Sequence, residues 1–192
     1  FKAIRAGKAS VVTDEIETFT ETGIKLKSGK ELPADIIVTA TGLVMRLMGG
    51  AEIVVDGKTV NPGTTLSYKG MMFSDIPNLA STFGYTNASW TLKADLTAEY
   101  LCRILNHMDR NGYAYCTPRN VDPEVIPDAT PPLSSGYMQR ARDVLPKQGS
   151  KRPWKLYQNY AKDMLALRFG KVDDGVLVFS KAEVPARERL RA

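Results

Sequence analysis

Apolar and polar residues alternate over residues 10–13, 15–20 and 24–27, a period of two that predicts half-exposed strands. Ser28-Gly29-Lys30 reads as a turn between them. The alternation then breaks at Asp35-Ile36-Ile37-Val38-Thr39-Ala40-Thr41-Gly42-Leu43. Three β-branched residues in succession leave no polar face, which predicts a strand buried on both sides. Side chains shrink from Thr39 to Gly42, and Gly42 can adopt backbone angles closed to other residues. A strand that ends this way lets another molecule lie against its backbone, as ligands do at the carboxyl edge of α/β sheets. An ordinary tight turn accounts for the same residues equally well.

Beyond residue 43 the period changes more than once. Residues 53–60 alternate around Asp56-Gly57, which predicts a hairpin with a type I′ turn. Residues 64–68 suggest another strand, and Gly70-Met71-Met72-Phe73 reads as core rather than as a cavity wall. A second short strand over 78–83 ends at Gly84. A helix over 89–109 follows, with Leu92, Leu96, Tyr100, Leu101, Ile104, Leu105 and Met108 at three- and four-residue intervals along one apolar face. Asn87 or Ser89 can cap its start, and Asn111-Gly112 stops it. Pro118, Pro123, Pro127, Pro131 and Pro132 then mark an irregular arm. Helices are expected over 136–145 and 157–169, and a last strand over 176–179. The fold class is α/β, with a small β meander, a buried strand and helices.

Composition narrows the function without naming it. The 192 residues are 43% hydrophobic and 24% charged, ordinary values for a globular chain, and no apolar run approaches the ~20 residues that span a bilayer. The net charge of +5 sits wholly in residues 151–192, where ten Lys/Arg face five Asp/Glu. That basic end, with Arg187-Glu188-Arg189-Leu190-Arg191, has interleaved acids and no aromatic spacing, so a solvated tail is expected rather than a nucleic-acid partner. Cys102 and Cys116 are too few for a disulfide framework or metal cluster, and with no apolar leader at residues 1–5 a reducing, cytoplasmic setting is expected. Cys102 is expected to be buried and the lone His107 exposed. With a single histidine, neither a metal site of the usual type nor a Ser-His-Asp triad is expected.

Two runs go further than composition. Residues 35–43 resemble the Ala-Thr-Gly strand of class B flavin-dependent monooxygenases, where the chain returns from an NADPH domain to an FAD domain. Pro77-Asn78-Leu79 and Gly84-Tyr85-Thr86-Asn87-Ala88-Ser89-Trp90-Thr91-Leu92-Lys93-Ala94-Asp95-Leu96 are similar to the Baeyer–Villiger members of that family. The resemblance continues through Leu145-Pro146-Lys147-Gln148-Gly149-Ser150, Pro153-Trp154 and Gln158-Asn159-Tyr160 to Gly170-Lys171.

The resemblance implies the C-terminal portion of a flavoprotein with two dinucleotide-binding domains. Residues 1–34 would be a meander leading from the NADPH domain, 35–112 a return strand and helix of the FAD domain, 113–153 the Pro-rich arm, and 154–192 a C-terminal helix and basic tail. It implies FAD and NADPH as cofactors and molecular oxygen as a partner. One oxygen atom would go to a ketone, a thioether or a thioamide through a C4a-peroxyflavin. Thr41 and Gly42 would approach FAD by their backbone. Ser89, Trp90, Thr91 and Leu92 would offer the helix N-terminus to the flavin, while Tyr85 and Trp90 would line a substrate cavity. No catalytic residue is assigned, because no arginine can be matched to the one that faces the reactive flavin. Neither a Gly-x-Gly-x-x-Gly loop nor the family's Phe-x-Gly-x-x-x-His-x-x-x-Trp fingerprint occurs in these residues, so the missing N-terminal FAD- and NADPH-binding regions become partners. A reductase-like flavoprotein, or a fragment that folds without a cofactor, fits the same residues.

Overall fold

The computed structural model describes residues 1–130 and 133–182. The chain divides into two compact units, Phe1–Gly42 and the residues from Leu43 onward.

In the first unit, Ile16–Thr20, Gly23–Leu26 and Glu31–Pro33 form an antiparallel three-stranded meander. Phe19 pairs with Ile24, and Ile24 with Leu32. Gly23 lies where a Cβ would fall 2.0 Å from the Leu32 carbonyl oxygen, so the tight turn between the first two strands admits no side chain there. The alternating residues 10–13 join no strand. The buried return strand is also corrected. Residues 35–43 carry no ladder, and Ile36 and Val38 are each 83% exposed. A strand forms only where a neighbour saturates its N–H and C=O groups, and no described segment pairs with this one.

In the second unit, Ile53–Val55 and Lys58–Val60 make the expected hairpin. Asp56 and Gly57 both have positive φ, 50° and 76°, as a type I′ turn requires. Ser67–Tyr68 and Met72–Phe73 also pair, and Tyr68, Met71, Met72 and Phe73 are all buried, so the methionine run is core. The second short strand shrinks to one bridge, Met72 with Ala80.

The long helix runs Trp90–Asn111 and ends on Gly112 at φ 64°. Leu96, Tyr100, Ile104 and Met108 bury one stripe against Tyr68, Met71, Met72, Trp154, Leu167 and Leu177. Leu92 and Leu105 instead face outward, because the packed stripe is narrower than the apolar pattern. The same geometry corrects two expectations: Cys102 is exposed, and His107 is half-buried among Tyr113 and Phe179, with centroids 5.8 and 4.7 Å away.

Tyr115–Pro118 pairs with Leu177–Ser180, and Cys116 and Leu177 join the core along the helix's buried stripe. In the arm, Pro127–Asp128 pairs with Gln148–Gly149, and Lys151 bridges Asp122 and Glu124. The expected helix over 136–145 is limited to Gly136–Arg140. The one over 157–169 begins at Tyr160–Met164 and widens into a π turn over Leu165–Phe169. Arg103, from the long helix, donates to the Leu167 and Gly170 carbonyls and so holds that wider turn. No helix among the described residues is long and apolar enough to cross a membrane. The Arg187–Arg191 tail lies outside the described residues.

Candidate functional site

Gly84 and Trp90 set the entrance to the long helix. A Cβ on Gly84 would fall 2.3 Å from the Trp90 ring, so the chain can double back here only because Gly84 has no side chain. Trp90 then leans on Phe83 at 5.4 Å between centroids and keeps 55% of its surface exposed. Ser89 is the N-cap: its Oγ accepts from the Thr91 N–H at 3.3 Å and lies 2.7 Å from the Thr91 hydroxyl. By helix geometry the Trp90 and Leu92 N–H groups have no intrahelical acceptor. Ser89, Trp90, Thr91 and Leu92 are all exposed, so this N-terminus presents donors, two hydroxyls and an indole outward together. Asn87 is not the cap; its amide donates to the Gln158 carbonyl at 3.3 Å.

Behind this entrance lies a cavity of about 200 Å³. Phe73, Phe83, Leu145 and Leu156 supply much of its apolar wall, while Tyr85, Lys93, Asp163 and Gln158 supply polar groups. Tyr85 is buried, and its hydroxyl donates to Asp163 Oδ2 at 2.8 Å. Burial, and then the hydrogen bond to that carboxylate, push the Tyr85 hydroxyl well above its ordinary pKa, so it stays protonated. Lys93 is only 4% exposed, and its ammonium donates to the same Asp163 oxygen at 2.9 Å and to the Lys69 carbonyl at 3.2 Å. Gln158 holds φ at 49°, and its side-chain carbonyl accepts from the Thr86 N–H and hydroxyl.

The site residues expected from sequence therefore separate. Tyr85 lines the cavity; Trp90 stands at the helix entrance and is not among the lining residues. Thr41 and Gly42 close the other unit, exposed, with Gly42 at φ 87°. Lys93, Asp163 and Gln158 were not anticipated as site residues. One signal was available: Lys93 falls three residues before Leu96 and seven before Tyr100, which puts a charge on the stripe that faces the core.

No protein-family model matches the chain. It is 55% identical over 185 residues to the FAD-containing monooxygenase EthA of Mycobacterium tuberculosis, covering 96% of this chain and 38% of that protein. To the EthA of Mycolicibacterium smegmatis it is 56% identical over 183 residues, 94% of this chain and 37% of that one. To the probable FAD-binding monooxygenase AlmA of Acinetobacter baylyi it is 50% identical over 182 residues, 94% and 36%. The chain thus spans a little over a third of the length of the relatives it matches.

Proposed function

We propose, from the premise of a chain homologous over nearly its whole length to FAD-containing monooxygenases, that these residues form the C-terminal portion of such an enzyme. It would use NADPH and FAD to transfer one oxygen atom to a ketone or to a sulfur or nitrogen centre, in the cytoplasm. The observation that carries this reading is the extent of the identity, 96% of the chain at 55%, rather than any one motif. Residues 35–43 would then find their strand neighbours in the part of the protein that this chain does not include.

The residues here fit one part of FAD, its ring system. The exposed N–H groups of Trp90 and Leu92, with the Ser89 and Thr91 hydroxyls, are donors suited to an electron-rich ring edge, and the positive end of the helix dipole favours negative charge there. In the other unit, and taken by itself, Gly42, with no Cβ and a left-handed φ, permits close approach to its backbone. When bound, FAD supplies the redox chemistry and the activation of oxygen. The chain's own task is to hold donors in place before reaction, to keep Tyr85 protonated in the cavity wall, and to exclude water with Phe73, Phe83 and Leu156.

The test is Thr91→Trp in the FAD-loaded protein. The expected result is at least a severalfold loss of bound flavin with helix content kept. Flavin content equal to that of the unaltered protein removes the assignment of Ser89, Trp90, Thr91 and Leu92.

A further inference from the structure

We propose that a second groove, bounded by Tyr157 and the π turn, is a binding site for the phosphate group of a small phosphate ester, held by Arg152, Lys155 and Lys162. None of these three residues belongs to the flavin assignment above, and neither proposed cofactor is its occupant.

The chain's excess of positive charge lies wholly in residues 151–192, and the fold gathers part of it here. Arg152, Lys155, Lys162 and Lys171 line the groove together with Lys69, and the lining includes only two carboxylates, Asp163 and Asp174. Both carboxylates are already committed. Asp163 accepts from Tyr85 and Lys93, and Asp174 accepts from Tyr68 and Lys69. Lys69 is half-buried and fixed, 2.9 Å from Asp174 and 2.6 Å from the Tyr100 hydroxyl. The other four cations have no ion-pair partner and no side-chain hydrogen bond among the described residues.

These cations converge rather than spread. The Arg152 guanidinium and the Lys155 and Lys162 ammonium groups stand 4.9, 5.7 and 4.8 Å from the centroid of the half-buried Tyr157 ring. Like charges held this close repel one another, and the face of one ring offsets only part of that repulsion. A bound anion offsets the rest. A carboxylate has two oxygens and a single charge. A phosphate monoester has three terminal oxygens and nearly two charges, which suits three converging donors. The groove holds about 460 Å³, within the ~300–1,000 Å³ of small-molecule sites, so the body of the ester has room beside its phosphate. Pro153, Leu156, Ala166 and Val176 give that body an apolar wall.

The experiment titrates inorganic pyrophosphate against the full chain by calorimetry, at low and at raised salt. Binding is expected, and it should weaken as salt rises. Lys155→Gln combined with Lys162→Gln is expected to weaken it at least about tenfold, the value of one lost hydrogen bond to a charged group. Lys30→Gln combined with Lys58→Gln lowers the net charge equally at exposed positions outside the groove and should leave the affinity unchanged. The phosphorus resonance of pyrophosphate is expected to shift on adding the unaltered chain. An unmoved resonance overturns the proposal without any variant, and so does an equal loss in the two double variants. Displacement of pyrophosphate by NADPH would give the groove to the cofactor and overturns it too. Vesicles of phosphatidylcholine with phosphatidic acid identify the source of the phosphate. Vesicle binding that pyrophosphate displaces assigns the group to a lipid headgroup, and pyrophosphate binding without vesicle binding assigns it to a soluble ester. Flavin content, read on the same samples, should not change with Lys155 and Lys162, so this site and the flavin assignment at Thr91 fail separately.

Discussion

The Lys69 ammonium lies 2.9 Å from the Asp174 carboxylate, and the Tyr68 hydroxyl donates to that same carboxylate at 2.7 Å. Tyr100 joins them, 2.6 Å from Lys69 and 3.2 Å from the Tyr68 hydroxyl. The two tyrosines belong to the core, so one carboxylate near the end of the described chain ties together residues from three separated stretches. Its other oxygen accepts from the Val176 and Leu177 N–H groups and so starts the last strand.

Asp174→Asn is therefore expected to cost roughly 2–3 kcal/mol, seen as a lower midpoint in urea unfolding. Burial works to raise the Asp174 carboxyl, but the Tyr68 hydroxyl, the Lys69 ammonium and the Leu177 N–H outweigh it and hold its pKa below the ordinary carboxylate value. A lowered folded pKa gives stability that is present above the ordinary value and is lost as pH falls through the lowered one. Unfolding followed from pH 5 downward should show less pH dependence in the Asn variant. It should not become flat, since Glu99, Asp122 and Asp128 are shifted in the same direction.

Gly84→Ala places a methyl group within the Trp90 ring and should destabilise the protein by about 1–3 kcal/mol. Trp90→Ala in the same chain removes the clash, so the double variant should be more stable than Gly84→Ala alone. Thermal unfolding of the three variants checks this, and strict additivity would sever the link between the two residues.

Ser89→Ala removes a cap bond of 3.3 Å at an exposed helix start, with an expected cost of about 0.5–1 kcal/mol. Ser89→Gly should cost only a few tenths of that unit, because glycine also tolerates the N-cap position. Far-ultraviolet circular dichroism through a thermal scan distinguishes the two.

Trp154→Ala should be far more severe, about 3–5 kcal/mol, since Trp154 is wholly buried and meets Tyr68 edge-on at 5.8 Å. Gly149 packs against it so closely that a Cβ there would fall 2.6 Å from Trp154 Cβ. Gly149→Ala should therefore also destabilise the protein, by about 1–3 kcal/mol through overpacking, measured again in urea.

What could be read from sequence was whatever a few adjacent residues decide by themselves. Asp56-Gly57 dictates its turn, Ser89 caps its helix and Gly112 ends it, because each needs only its neighbours. Residues 35–43 carry an equally clear strand composition, yet composition cannot supply the adjacent strands that a ladder needs. The polar side of the cavity was hidden for another reason. Lys93 and Asp163 are seventy residues apart, and only folding shows that a lysine on the core-facing stripe is neutralised there. The apolar face of the long helix was read too wide because Leu92 and Leu105 obey the same spacing as the buried residues.

Ile36, Ile37 and Val38 have a practical consequence for anyone handling this chain alone. A β-branched segment that is exposed and joins no ladder offers a ready template for strand addition from another molecule. The chain in isolation is expected to self-associate as its concentration rises, through an adhesive edge that has no part in the cavity. A lysine in place of Val38 would act as a gatekeeper and keep preparations monodisperse.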